Sequence, residues 1–341
     1  MITSRRGRDV AVAPHGGRFG EDREIYHDFS VCLNAYGPAP AVVDAIRRAE
    51  VDDYPDPTSR VARATAAQAW SVSNDALILG AGSAELIDLV CRAFVGPDDV
   101  VAIDAPAFGE YERAARIYGA RVAREIDDAA RVVFVCSPSN PLGTVRDRAD
   151  LRAFADRCAA RGALLVIDQA YDDFTDEPAG TPLLRHHPAA FHLRSLTKGN
   201  ALAGVRVALG IGTREIVDAL DAVRVPWSAS SAAQQAAIAV FRPDAKAHVE
   251  RTTALLRREA VRLRSALAAL GYQTNDSRTH FFTVAVRNGE RARLELIERF
   301  HILVRDCRSF GMPHRIRVAA RQPAANDELL RALAELSPLL L

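Results

Sequence analysis

The stretch SLTKGNALAGVR, residues 195–206, decides how this chain is read. It lies between two apolar runs, FHLRSL (191–196) and VRVALGIG (205–212), that have the length and composition of buried strands. Lys198 therefore sits on a loop between two strands. Ser195 and Thr197 put hydroxyls beside it, and Arg206 opens the next run. Of the 44 basic residues only two, Lys198 and Lys246, are lysines, so few amines compete for any chemistry that needs one.

Working outward, strands alternate with helices. DALILG (75–80) leads into SAELIDLVCRAFV (83–95), DVVAI (99–103) into FGEYERAARIYG (108–119), and RVVFVC (131–136) into the loop SPSNPLG (137–143). The helix DLRAFADRCAARG (150–162) then precedes the strand ALLVID (163–168). Such alternation predicts an α/β fold: a mostly parallel sheet sandwiched by helices, binding its ligand at the C-terminal ends of the strands. Residues 1–35 read as an N-terminal arm and 36–242 as a large domain, with a helix over 39–50 and a turn at YPDP (54–57). Residues 243–341 read as a small α+β domain. It opens with a long arginine-rich helix (243–270) and contains the strands FFTVAV (281–286), ILVRDC (302–307) and RIRVAA (315–320), with a last helix near 326–338.

Bulk properties narrow the function classes. The composition, 49% hydrophobic and 26% charged, is that of an ordinary globular protein. A net charge of +1 gives no electrostatic reason to expect nucleic acid or an anionic membrane. No apolar run approaches the roughly 20 residues that span a bilayer, and the N-terminus lacks a signal-peptide core. Five scattered cysteines without a C-x-x-C pair speak against a disulfide framework or a zinc site and for a reducing cytoplasm.

Polar residues gather where the strands end: Asn140, Asp168, Tyr171, Ser195, Thr197, Lys198 and Arg206. Singly, each has an ordinary explanation. Asn140 before proline suits a turn, Asp168 could cap a helix, and Lys198 could be a solvated lysine. Together they suit a phosphorylated pyridine aldehyde, pyridoxal 5′-phosphate. Its aldehyde needs an amine, Lys198. Its ring nitrogen needs a carboxylate that keeps it protonated, Asp168. Its phenolic oxygen takes hydrogen bonds, from Asn140 and Tyr171. Its phosphate wants hydroxyls, a guanidinium and a helix N-terminus: Ser195, Thr197, Arg206 and the turn before Ser83 and Ala84, where Gly80 and Gly82 allow close backbone approach.

SPSNPLG, VIDQAY and SLTKGNALAGVR, in that order and spacing, resemble the signature of class I/II aminotransferases of fold type I. The resemblance implies that Lys198 carries the cofactor as a Schiff base and that the enzyme is a homodimer acting on a small amino compound. It places Tyr54 of YPDP at the neighbouring subunit's cofactor phosphate, Phe108 of APAFGEY on the pyridine ring, and Arg317 of RIRVAAR on the substrate's anionic group. It makes Lys198, Asp168 and Tyr171 the catalytic residues. Two subfamilies are similar: histidinol-phosphate aminotransferase and threonine-phosphate decarboxylase. HGG (15–17), DFSVCLNAYGP (28–38) and VRDCRSFGMPHRIRVAARQPAAND (304–327) resemble the decarboxylases and add His15 and Asn34 as substrate contacts. Ala35-Tyr36-Gly37 departs from the Pro-Leu-Gly usual there.

The first reading is therefore an aminotransferase, the second a decarboxylase with the same residues. A third, a non-catalytic cofactor sensor, normally carries a DNA-binding segment for which the short arm leaves no room. His186 and His187 read as solvated, His280 and His301 as packing or surface residues, the arginines of 251–264 as a solvated helix face, and Trp70 and Trp227 as core or interface. No metal is expected.

Overall fold

Continuous apolar runs such as VVFVC and LLVID can only persist as strands covered on both faces, and the chain builds that cover from helices between them. The computed structural model describes residues 10–18, 23–127, 129–176 and 184–341; positions 1–9 and 19–22 of the expected arm lie outside these. The first half runs β1 (His27–Asp28), α1 (Pro40–Arg47), α2 (Arg60–Trp70), β2 (Leu77–Gly80), α3 (Ser83–Phe94), β3 (Val100–Ile103), α4 (Gly109–Ile117), β4 (Arg121–Ala123), β5 (Val132–Cys136), α5 (Arg148–Arg161) and β6 (Leu164–Asp168). The second half runs β7 (Ala190–Ser195), β8 (Ala208–Ile211), α6 (Arg214–Val223), α7 (Ser231–Ala239), α8 (Pro243–Ala269), β9 (Phe281–Ala285), α9 (Gly289–Phe300), β10 (Ile302–Leu303), β11 (Arg305–Asp306), β12 (Arg315–Ala319) and α10 (Pro323–Leu340).

A seven-stranded sheet in the order β2-β8-β7-β6-β5-β3-β4 forms the centre. From β4 to β7 all neighbours are parallel, and β8 runs antiparallel to both its neighbours, so the sheet is mostly parallel as expected. Side chains alternate between the faces. On β5, Phe134 joins one layer with Leu86 and Val90 of α3 and Val217 of α6. Its neighbours Val133 and Val135 join the opposite layer with Leu151 and Ala155 of α5. Helices α2 and α7 extend that cover over Leu77 and Leu209. Helix α5 starts where Asp147 Oδ1 accepts the Ala149 amide at 2.7 Å and ends at Gly162 in the left-handed region.

The C-terminal part packs α8, α9 and α10 on an antiparallel sheet ordered β11-β12-β9. Here the expectation of one strand over 302–307 is corrected. Ile302–Leu303 pairs in parallel with β1 of the arm, whereas Arg305–Asp306 pairs with β12, so two different partners split the run at Val304. The arm is thus tied down at this point. Phe29 is fully buried among the C-terminal helices, its amide donates to Leu303 O at 2.7 Å, and its carbonyl accepts the Ala319 amide at 3.0 Å. Among the described residues no helix is long and apolar enough to cross a membrane.

Candidate active site

Parallel strands deliver their C-terminal residues to one edge of the sheet, and the polar residues read from the sequence meet there. Ser83, Ala84, Phe108, Asn140, Asp168, Tyr171, Ser195, Thr197, Lys198 and Arg206 all line one cavity of about 90 Å³. Tyr111, Cys136 and Ala170 line it too and were missed by sequence reasoning. Tyr111 lies one helical turn beyond Phe108 on α4, a spacing that could have flagged it.

Asp168 ends β6 at 4% exposure. Its Oδ2 accepts the Tyr111 hydroxyl at 2.7 Å and its Oδ1 the Ala170 amide at 2.9 Å. Burial pushes its carboxyl above the ordinary range, against these two donors and Lys198. A cationic ring nitrogen would relieve that penalty. Tyr111 is itself held flat on Phe134, ring centroids 4.8 Å apart, with Phe108 edge-on at 5.8 Å. Burial also pushes the Lys198 ammonium below its usual value; Arg317 and Arg206 act in the same direction, Cys32 and Asp168 against it. The effect favours the neutral, nucleophilic amine. Burial drives the Tyr171 phenol well upward, so it remains a donor.

At the other end, α3 points its N-terminus at the cavity. Gly82 there has φ +91, and a Cβ on it would come within 2.5 Å of Arg206 Nη2. Only glycine lets that guanidinium lie against the helix start. Arg206, itself left-handed at φ 58, is fixed by an Nη1 bond to Ala203 O at 3.0 Å. Ser195 Oγ and Thr197 Oγ1 are 2.8 Å apart, and Ser83 Oγ is buried without a partner. An unpartnered hydroxyl, two further hydroxyls, a guanidinium and free helix amides form a donor set that fits a phosphate.

The remaining expected residues fall in three places. Arg317, on β12, is buried and donates to Asn140 Oδ1 and to Ser30 O, which joins the C-terminal sheet to the cavity wall. His15 packs on Phe108 at 5.6 Å, bonds Glu110 at 2.9 Å, and lines a neighbouring cavity of about 500 Å³ with Ser30, Arg293, Arg305 and Arg308. Asn34 lines neither cavity. Its side-chain nitrogen donates to Gly199 O at 2.9 Å and Thr252 Oγ1 at 2.8 Å, and its amide to Lys198 O at 3.1 Å, so it holds the lysine loop. Tyr54 is not brought to the cavity of its own chain; it is 78% exposed and packs on Trp227 at 5.0 Å.

Comparison with known proteins agrees in extent with this geometry. The family described as aminotransferase class I and II matches residues 25–333. The histidinol-phosphate aminotransferase of Symbiobacterium thermophilum is 32% identical over 318 residues, covering 88% of this chain and 87% of that protein. That of Geobacillus thermodenitrificans is 30% identical over 325 residues, covering 89% and 88%. Among solved structures, histidinol-phosphate aminotransferase from Sinorhizobium meliloti in complex with pyridoxal 5′-phosphate superposes with a TM-score of 0.84 at 23% identity, covering 93% of this chain and 92% of that one. L-threonine-O-3-phosphate decarboxylase from Porphyromonas gingivalis gives 0.80 at 22%, covering 91% and 99%. These two likenesses show the fold, fold type I. With the profile match over most of its length and relatives at this identity and coverage, the chain belongs to the class I and II aminotransferases, enzymes that depend on pyridoxal 5′-phosphate.

Proposed function

We propose that this aminotransferase acts on a phosphorylated amino compound of the histidinol-phosphate type, with Lys198 bound to the cofactor aldehyde at rest. The observation that carries the reading is the convergence of ten sequence-selected residues on one cavity that holds the lysine. Relatives named for histidinol phosphate support the substrate class, as does the arginine-lined cavity next door, suited to an anionic group.

Bound pyridoxal phosphate supplies an electron sink for the substrate Cα. The chain's own residues do the rest. Asp168 holds the proton on the ring nitrogen. Asn140 and Tyr171 donate to the phenolic oxygen, and Phe108 covers the ring. Ser83, Ala84, Ser195, Thr197 and Arg206 hold the phosphate, and Tyr54 reaches it from the other subunit of a homodimer. Lys198, freed as an amine, takes the proton from the substrate Cα. Arg317 and His15 face the substrate's anionic groups, and Asn34 positions the lysine loop. Five buried cysteines, with no C-x-x-C pair among them, support a reducing cytoplasm as the setting.

A decarboxylase reading, with carbon dioxide leaving Cα and a proton replacing it, is favoured by one observation: His15, Gly16, Gly17 and Arg305 line the same cavity. Mixing the purified holoenzyme with histidinol phosphate, and separately with threonine phosphate, decides. Loss of the visible cofactor band with accumulation of pyridoxamine phosphate establishes transamination. Carbon dioxide release with the cofactor retained would overturn that reading in favour of the second.

A further inference from the structure

A cavity of about 340 Å³ lies between the C-terminal ends of α2 and α7 and the first half of α8, outside the site described above. Its volume is in the range that holds a small metabolite. Trp70 and Phe241 form an apolar corner, their rings 5.2 Å apart and edge-to-face. Most charges around it are already committed. Arg194 is paired with Asp172 at 2.6 Å and Asp173 at 3.5 Å, and Arg257 with Asp176 at 3.1 Å. Lys246 and Glu250 differ: both line the cavity, and among the described residues neither makes an ion pair. Four apart on α8, they share a face, in the Lys-before-Glu order that pairs less well along a helix. Lys246 Nζ instead lies 5.5 Å from the Phe241 ring. One uncommitted cation, one uncommitted anion and an aromatic corner together match a zwitterion with an apolar tail.

We propose that this cavity binds a free amino acid with an apolar side chain and that its occupancy is felt at Lys198. The carboxylate meets Lys246, the ammonium meets Glu250, and the side chain lies against Trp70 and Phe241. The route to Lys198 is short. Ser195 lines both this cavity and the cofactor cavity. Asp173, in this cavity's wall, packs so closely on the lysine loop that a Cβ on Gly199 would fall 2.3 Å from its Oδ2. Asp173 thus lies in close contact with the backbone beside Lys198, the contact through which a ligand would be felt there.

The chain has two tryptophans, so holoenzyme carrying Trp227→Phe reports from Trp70 alone. L-leucine should change its emission saturably, and 4-methylpentanoate and isoamylamine, each lacking one charge, should bind about tenfold more weakly or worse. Lys246→Ala and Glu250→Gln should each weaken leucine binding by a similar factor and leave turnover without leucine unchanged. Saturating leucine should move the pH midpoint of the cofactor's visible band in the parent and not in these variants. Absence of a saturable signal, unchanged affinity in both variants, or a signal abolished by Arg317→Ala alone would overturn the site. An unmoved midpoint at saturation would overturn its link to Lys198. Turnover measured without leucine tests the proposed reaction separately, so the two can fail independently.

Discussion

Lys198 sits where burial makes an amine nucleophilic, and only Lys246 could mimic it in a labelling experiment. Borohydride reduction of the holoenzyme should fix the cofactor to Lys198, and peptide mapping should find no label on Lys246. Lys198→Ala should still bind the cofactor through its phosphate contacts and lose turnover. Asp168→Asn is nearly isosteric and removes the charge proposed to hold the ring-nitrogen proton; it should lower turnover by about 100-fold or more. Its effect on folding has the opposite sign in cofactor-free protein. Burial raises the Asp168 pKa, so the wild-type residue costs stability as pH rises above the unfolded carboxylate value of about 3.9. The variant should therefore gain on wild type between pH 4.5 and pH 7.5 in urea unfolding of the apoprotein, and a widening deficit over that range would refute the assignment. Much of this site was legible because Lys198, Arg206, Asn140 and Asp168 sit at fixed distances from strand ends. Tyr111 was not, because its bond to Asp168 joins residues 57 positions apart, and its place one helical turn after Phe108 was the one local trace it left. For Asn34 the sequence did not reveal that its side-chain donors go to Gly199 O and Thr252 Oγ1 rather than into a cavity.

At the scale of elements, the loop after β5 connects the cofactor cavity to the C-terminal sheet. Arg278 N donates to Gly143 O at 2.9 Å, and Asn275 Nδ2 to Leu142 O at 2.7 Å. Gly143 has φ +69, and a Cβ there would collide with Ser277 Oγ. Gly143→Ala should cost about 1–3 kcal/mol in urea unfolding and weaken cofactor binding by displacing Asn140; an unchanged cofactor Kd would show that the loop is not under this control. The strands of the central sheet were readable because uniformly apolar runs must be buried on both faces. Helix α7, SAAQQAAIA, offers almost uniformly small residues and no contrast between faces, so it and α2 escaped notice. The run 302–307 looked like one strand because period and composition say nothing about which neighbour each residue pairs with.

For the whole molecule, Tyr54, Trp227 and Val225 leave apolar surface exposed at 78%, 49% and 61%. The proposed sharing of a site across two subunits would account for an exposed turn tyrosine that does not line its own chain's cavity. Tyr54→Ala and Lys198→Ala enzymes, each inactive, should complement when subunits exchange, restoring up to about half the activity per mixed dimer. No recovery after verified exchange would place Tyr54 outside any shared site.

The binding of the arm to the far end of the chain also sets an order of events during translation. Ser30 and Arg317 are 287 residues apart, and the arm's strand β1 pairs with β10. At roughly 5–20 residues per second, the ribosome takes about 15–60 s to produce the partner after the arm has been made. Throughout that interval Phe29 has no pocket. The nascent chain can assemble its parallel sheet before Phe29 finds its seat, so a segment made before the sheet settles after it. A chain cut short before Ile302 would leave Phe29 permanently without a seat, a ready target for protein quality control.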